Sequence, residues 1–510
     1  MKVTFYGSDF SLFSFEEYNK EEGKGVQFEG QDYDEILARF LLLYFLKKQQ
    51  AAIKSGDRKI WVGRNEVRTK TEDLQLYEET KQGIRFTNLV GVISEERIKL
   101  REDDIDYYEK KYDADISWEK RNIYLDNEYD VQLQIRSRFD GEHTYFLPAL
   151  MVNENIKLSE HMVSESLTDQ FDFLLVYVFV EQFRKAYDFG PYRRYQKFEQ
   201  NNSHIRGKID IDRHIKKNMA QHNGKIACSY RENSVDNWMN HLVLYTIAHI
   251  RSRFPMLYEQ LIDKDSKMTG IINELHYLTK SFGTVSLRKV MVKCENVISQ
   301  PFYLSYEKLR GECQMLLRYM GVSMFDGQEE EKVQGTLFYI PDLWETFLER
   351  VMNRRLQDYL VKTQMDIPVC REITTDNNGK YKKHTFPDFV IFTKEDGDKP
   401  LCVLDAKFKP KWAKEIVLED YTKCIRDMNS LNAHATGVIY PLEDGKSNIS
   451  KIQIYEISEY NPLDRFFRIP ILVPDDKGKT YKKWYNDFEN NISEVVIDII
   501  KLMDKMAIKR

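Results

Sequence analysis

The sequence predicts an α/β multi-domain chain: an N-terminal mixed α+β domain, a mainly helical middle, and a C-terminal α/β core running helix, three strands, helix, strand. Three observations predict it. Apolar residues recur at helical spacing over long segments such as "DYDEILARFLLLYFLKKQQAA". Short β-branched and aromatic runs, "PDFVIF" and "LCVL", bracket a turn-like "TKEDGDKP". The two patterns follow one another most regularly in the last third. The expected boundaries are residues 1–160, 161–335 and 336–510. At 510 residues there is room for about two to four domains, each with its own core.

Composition narrows the class. Hydrophobic residues are 42% and charged residues 31%, the balance of a globular chain rather than a disordered one. The longest apolar runs are too short and interrupted to span a bilayer, and the first residues lack a signal peptide's apolar core. No membrane association and a cytoplasmic location are therefore expected. The six cysteines stand singly without a CxxC pair, so neither a disulfide framework nor a thiolate zinc site is supported. A net charge of −5 neither demands nor excludes nucleic acid, because binding needs only a local basic face.

In the first domain, "IRFTNLVGVIS" and "VQLQIRSRFDGEHTYFLPALMV" read as strands, the second with an Asp140-Gly141 hairpin signal. No catalytic constellation occurs there. In the middle region, "SLTDQFDFLLVYVFVEQFRKAYDFG" predicts a helix stopping at Gly190, and "SVDNWMNHLVLYTIAHIRSRF" one capped by Asp236. Between them Arg193, Arg194, Lys197, Arg206 and Lys208 are interleaved with Tyr192 and Tyr195. Such a segment either tracks a phosphate backbone or is a solvated helix face and loop, and composition does not separate the two.

The last third opens with "IPDLWETFLERVMNRRLQDYL", a helix with Asp342 and Glu345 at capping-box spacing. The three strand candidates are "QMDIPVCREI", "PDFVIF" and "LCVLDAKFK". "IVLEDYTKCIRDMNSLNAHA" reads as a helix and "TGVIYP" as a short buried strand. Side chains alternate along a strand, so Asp405 and Lys407 share one face. A two-residue Asp396-Gly397 turn sets a register in which Asp388 lies directly opposite Asp405, with Cβ atoms about 4.5–5.5 Å apart. Two carboxylates that close repel unless one keeps a proton or a cation lies between them. A hard divalent ion, Mg²⁺ with Mn²⁺ as the alternative, answers that problem and suits phosphodiester hydrolysis. Lys407 would then stabilise developing charge or orient the attacking water. An Asp-x-Lys triplet alone is cheap, since Asp265-Ser266-Lys267 occurs as well. Pro387-Asp388, the hairpin and the element order are what make this one specific.

With those features the segment resembles the PD-(D/E)xK nuclease superfamily. The resemblance implies Asp388, Asp405 and Lys407 as metal-binding and catalytic residues. It adds Glu345 from the preceding helix, which competes with a plain capping role. In the following helix Asp420, Tyr421 and Lys423 stand where relatives carry a Gln or Lys near the metal. A narrower resemblance covers roughly residues 165 to 460: "RGKIDI", "VDNWMN" and "DLWETFLERVM" are similar to landmarks of the McrC family. That family supplies the nuclease subunit of McrBC-type restriction systems. It implies a DNA endonuclease working with a separate AAA+ GTPase, McrB, on which its N-terminal region docks.

Two features bear on that expectation. Gly445-Lys446-Ser447 looks like the end of a phosphate loop, but Tyr440 occupies the position of its first glycine. Any nucleoside triphosphate would thus be hydrolysed by another polypeptide. Arg193, Arg194, Lys197, Arg206, Lys208 and Lys409 are the candidate DNA contacts. The rival readings are a non-catalytic adaptor that activates an NTPase through a nuclease-like fold, and a standalone repair or RNA nuclease of the same chemistry.

Overall fold

The computed structural model describes the chain except residues 20–23, 31, 56–59, 62–72, 113–114, 142, 152–166, 220–222, 295–297, 320–333, 372–380, 395–399, 444–451, 458–463 and 508–510. The described residues form two compact units. One combines residues 1–170 with 336–510, and the other comprises residues 171–335. The first unit is therefore built from both ends of the chain. Among the described residues no helix is long and apolar enough to cross a membrane.

The C-terminal part of the first unit carries a six-stranded sheet. Its strands are β1 (Tyr359–Thr363), β2 (Phe389–Thr393), β3 (Pro400–Ala406), β4 (Ala435–Glu443), β5 (Gln453–Glu456) and β6 (Arg465–Val473), in the spatial order β1-β2-β3-β4-β6-β5. The β1–β2 and β2–β3 pairs are antiparallel, whereas β3–β4 and β4–β6 are parallel. Helix α1 (Ile340–Arg355) precedes the sheet, α2 (Leu418–Ser430) connects β3 to β4, and α3 (Tyr481–Ala507) follows it. In α1 the buried residues Leu343, Trp344, Phe347, Leu348, Val351 and Met352 recur at three- and four-residue steps, giving one continuous apolar face. Phe347 and Trp344 meet Phe488 of α3 at ring-centroid distances of 5.2 and 6.2 Å.

Two expectations for this part are corrected. The first central strand is not "QMDIPVCREI": helix α1 stops at Arg355, and Tyr359–Thr363 supplies β1 instead. Ile367–Arg371 pairs with Tyr381–Thr385 as a separate two-stranded hairpin. Nor do Asp342 and Glu345 form a capping box. The N-cap is Tyr339, with Pro341 in the first turn, where its fixed φ and missing N–H cost nothing. Glu345 therefore lies inside the helix, past its first turn.

The N-terminal part of the same unit holds a second six-stranded sheet, with Lys2–Ser8 parallel to Tyr129–Arg136 and antiparallel to Gly25–Glu29. It incorporates the strand Gln334–Tyr339, which runs directly into α1. The helix Glu35–Lys54, capped by Asp34, buries Leu41, Leu42, Phe45 and Leu46 in this domain's core. Asp140-Gly141 makes no hairpin. The Asp140 carboxylate accepts the Ser137 and Phe146 N–H groups and leads into the short helix Phe146–Met151. Asp476 accepts the Gly141 and His143 N–H groups, at 3.1 and 2.7 Å. A Cβ on residue 141 would lie 2.4 Å from Asp476 Oδ1, so only glycine fits that approach.

The second unit is not purely helical. Arg194–Asn202, Ile226–Ser234 and Lys208–Ile209 form a three-stranded antiparallel sheet, so Arg194, Lys197 and Lys208 lie on strands, whereas Arg193 and Arg206 lie in the connecting loops. The helix Trp238–Arg253 is capped by Asn237 rather than Asp236, whose carboxylate is taken by His241 and Ser281. Asn237 and Asn240 each donate to the Tyr192 carbonyl at 2.9 Å, pinning the helix start to the approach of the first strand. That bond set explains the polar residues in "VDNWMN".

Candidate active site

The site forms where β2 begins and β3 ends. Phe389, Val390 and Ile391 stand opposite Leu404, Val403 and Cys402. One step further out the same register sets Asp388 against Asp405, and Asp388 Oδ2 accepts the Ala406 N–H at 2.8 Å. The register therefore runs at the site as the turn signal required. Near the turn it does not: a bulge shifts Phe392 onto Pro400, and Asp396-Gly397 lie outside the described residues. Phe389–Phe392 and Cys402–Asp405 are buried, as is Asp388, so the two carboxylates depend on polar partners close at hand.

Asp405 and Lys407 meet as the strand alternation demands. The Lys407 N–H donates to Ile439 O of β4 at 2.8 Å, prolonging the β3–β4 ladder past Ala406. Its ammonium forms an ion pair with Asp405 Oδ2 and lies 3.4 Å from the Ala406 carbonyl. Lys423, from α2, binds Asp405 Oδ1 and lies 3.7 Å from Asp388 Oδ1. Glu345 faces the cluster from α1. The Gln364 side-chain amide donates to Glu345 Oε1 and lies 3.4 Å from Asp388 Oδ1. Gln364 sits just past β1 with φ +51°, an uncommon conformation for a residue with a side chain, held by its N–H donating to Pro387 O at 3.1 Å.

The electrostatics separate the two aspartates. Burial pushes the Asp388 carboxyl well above the usual carboxylate range, and the charges of Asp405 and Glu345 push it further. Burial acts the same way on Asp405, but Lys407, Lys423 and a hydrogen bond from Asp388 outweigh it and hold its carboxyl below the usual value. Of the two, Asp388 therefore holds a proton more readily and Asp405 ionises more readily. For Lys407 and Lys423 burial would lower the pKa, yet the two carboxylates overcome it and both ammoniums are held above their ordinary value.

A hard divalent cation fits this donor set. No group of three or more His, Cys, Asp or Glu among the described residues is arranged to hold a metal. Mg²⁺ does not need such a cage, since it usually keeps several waters and takes one or two carboxylates. Asp388 and Asp405 supply those, brought together by the β2–β3 register.

The candidate DNA contacts are dispersed. In the second unit Arg193, Arg194 and Lys208 are exposed, and Tyr195 is 72% exposed while Tyr192 is buried. Lys197 is paired with Glu199 at 2.9 Å. Arg206 is paired with Glu232 at 3.2 Å and stacks on Tyr230. This face is therefore less basic than the sequence implies. In the first unit Lys409 is held by Asp420 at 3.1 Å, and Asp420 also accepts from Trp412 Nε1.

The fold and site thus define a multi-domain α/β protein with a paired-aspartate, twin-lysine centre at the end of a central hairpin. The family described as McrBC 5-methylcytosine restriction system component matches residues 122–436, more than half of the chain, and the chain belongs to it. The match includes Glu345, Asp388, Asp405, Lys407 and Lys423. Among solved structures, the chain is similar to a half-complex from a tetradecameric assembly of Thermococcus gammatolerans McrB AAA+ hexamers with bound McrC. Identity there is 15%, the TM-score is 0.48, and 96% of this chain and 100% of that chain are covered. It is also similar to the Thermococcus gammatolerans McrBC complex, at 17% identity and a TM-score of 0.34, covering 70% and 88%. No curated protein matches.

Proposed function

We propose that this chain is the metal-dependent DNA endonuclease subunit of a modification-dependent restriction complex, built on a PD-(D/E)xK core and working with a McrB-like AAA+ GTPase. The observation that carries the reading is the convergence of Asp388, Asp405 and Lys407 at one end of the β2–β3 hairpin. Family membership supports the restriction setting. The sequence contains no G-x-x-x-x-G-K-[ST] loop, which favours a separate chain for nucleotide hydrolysis.

Asp388 and Asp405 would hold Mg²⁺, which when bound supplies Lewis-acid polarisation and acidifies water. Binding there requires Asp388 to give up its proton. Lys407 keeps its proton, so it serves as a fixed positive charge facing the scissile phosphate rather than as a general base. Lys423 adds a second positive charge on the opposite carboxylate oxygen. Glu345, oriented by the Gln364 amide, would complete the metal site from α1.

The test is cleavage of methylated DNA by the reconstituted complex with GTP and Mg²⁺. Asp405→Ala and Lys407→Ala should each abolish cleavage while complex assembly and folding persist. Wild-type cleavage by both variants would remove the assignment and return the chain to the adaptor reading.

A further inference from the structure

The residue after Lys407 is gripped by the N-terminal domain. Phe408 is 2% exposed, and its ring packs against Phe10, Phe139 and Phe146 at centroid distances of 6.4, 5.8 and 6.0 Å. The Arg138 guanidinium lies over the Phe408 and Phe139 rings, at 4.5 Å from each. Its Nη2 donates to the Phe408 carbonyl at 3.1 Å, and its Nη1 donates to Asp9 Oδ2 at 2.7 Å. Asp9 is fully buried and also accepts the Arg138 backbone N–H. Asp9 and Arg138 each lie just past one of the parallel strands Lys2–Ser8 and Tyr129–Arg136, and the Asp9 N–H donates to Arg136 O at 3.0 Å. Phe10, with φ +55°, turns the chain immediately after Asp9.

Lys407 is thereby held on both sides through its backbone. Its own N–H is fixed to Ile439, and the next carbonyl is fixed to Arg138. A lysine has a long flexible stem, so the place of its ammonium depends on how firmly the backbone beneath it is set. We infer that Arg138 is a positioning residue for Lys407, making the end of the N-terminal sheet a working part of the nuclease centre. This rests on the reading of Lys407 as catalytic. A planar guanidinium reaches two acceptors at once, whereas a lysine in its place satisfies Asp9 alone.

Arg138→Lys is therefore the discriminating variant. It should keep the wild-type thermal midpoint, complex assembly and KM for DNA, while kcat falls by between about tenfold and about a hundredfold, the range a misplaced catalytic group produces. The double variant Asp9→Asn/Arg138→Gln removes the pair without stranding a buried charge and should show the same loss in kcat. If Arg138 only holds the domain together, Arg138→Lys turns over at the wild-type rate or loses stability in step with activity, and the inference falls. Should the double variant fail to fold, Arg138→Lys alone decides. Lys407→Ala separates the two levels: if it still cleaves, the nuclease reading itself fails. If it is inactive while both Arg138 variants turn over normally, only the positioning role fails.

Discussion

Asp388 and Asp405 are neighbours with opposite titration behaviour, which has a measurable consequence without any divalent ion. The folded-state pKa of Asp388 lies above its unfolded value. Its contribution to stability is full below the ordinary carboxylate pKa and is lost as pH rises through the elevated one. For Asp405, held below its usual value, the stabilisation is present above the ordinary pKa and is lost as pH falls. Asp388→Asn mimics the protonated form and cannot ionise. In EDTA its thermal midpoint should exceed that of the wild type, by a margin that widens with rising pH, and cleavage should be absent. A margin that is constant or shrinks toward alkaline pH would contradict the proton assignment. The aspartates and Lys407 were readable in the sequence because alternation and turn chemistry both act over a few residues. Gln364 was not. Its contact with Glu345 arises from a left-handed turn after a strand that the local pattern placed elsewhere.

Helices and strands with one clear apolar pattern came out close to what the sequence predicts: Leu418–Ser430 lies within its expected segment, and Glu35–Lys54, Phe389–Thr393 and Pro400–Ala406 overlap theirs with only the ends displaced. The misreadings fall where a tertiary contact overrides a local signal. Asp140-Gly141 has hairpin chemistry, yet its aspartate caps a short helix and its glycine admits Asp476. Asp236 has cap chemistry, yet His241 and Ser281 claim it. The β4–β6 pair makes an equally specific demand that periodicity cannot show. A Cβ on Gly437 would lie 2.6 Å from Phe467 O and 2.8 Å from Phe467 Cβ. Gly437→Ala should therefore destabilise the first unit by about 1–3 kcal/mol, the usual penalty of overpacking, as read by denaturant unfolding. A stable Gly437→Ala variant would mean that β4 and β6 can part without cost.

The three-part division read from the sequence divides the chain in a different way from the structure, in which residues 1–170 and 336–510 form one unit. Linear pattern cannot reveal that two distant segments share a core. The evidence for it is chemical: Tyr145 packs on Tyr481 and Trp484, and its hydroxyl donates to Lys479 O at 3.2 Å. A fragment of residues 336–510 would expose Phe408 and Trp484 and would lose the Gly141 and His143 N–H groups that donate to Asp476. Expressed alone it should give no cooperative unfolding transition, and co-expression with residues 1–170 should restore one. A cooperative transition in the isolated fragment would show that the C-terminal sheet needs no help.

The strand Gln334–Tyr339 belongs to the N-terminal sheet but is made late. During synthesis that sheet waits, incomplete, while the ribosome adds the entire second unit. Only after residue 339 does the chain reach Glu345, Asp388, Asp405 and Lys407 in turn. A product cut short before that strand, by a frameshift or an early stop, lacks a member of its own N-terminal sheet and every candidate catalytic group. Under the proposed function, unfinished copies would carry none of the cutting chemistry.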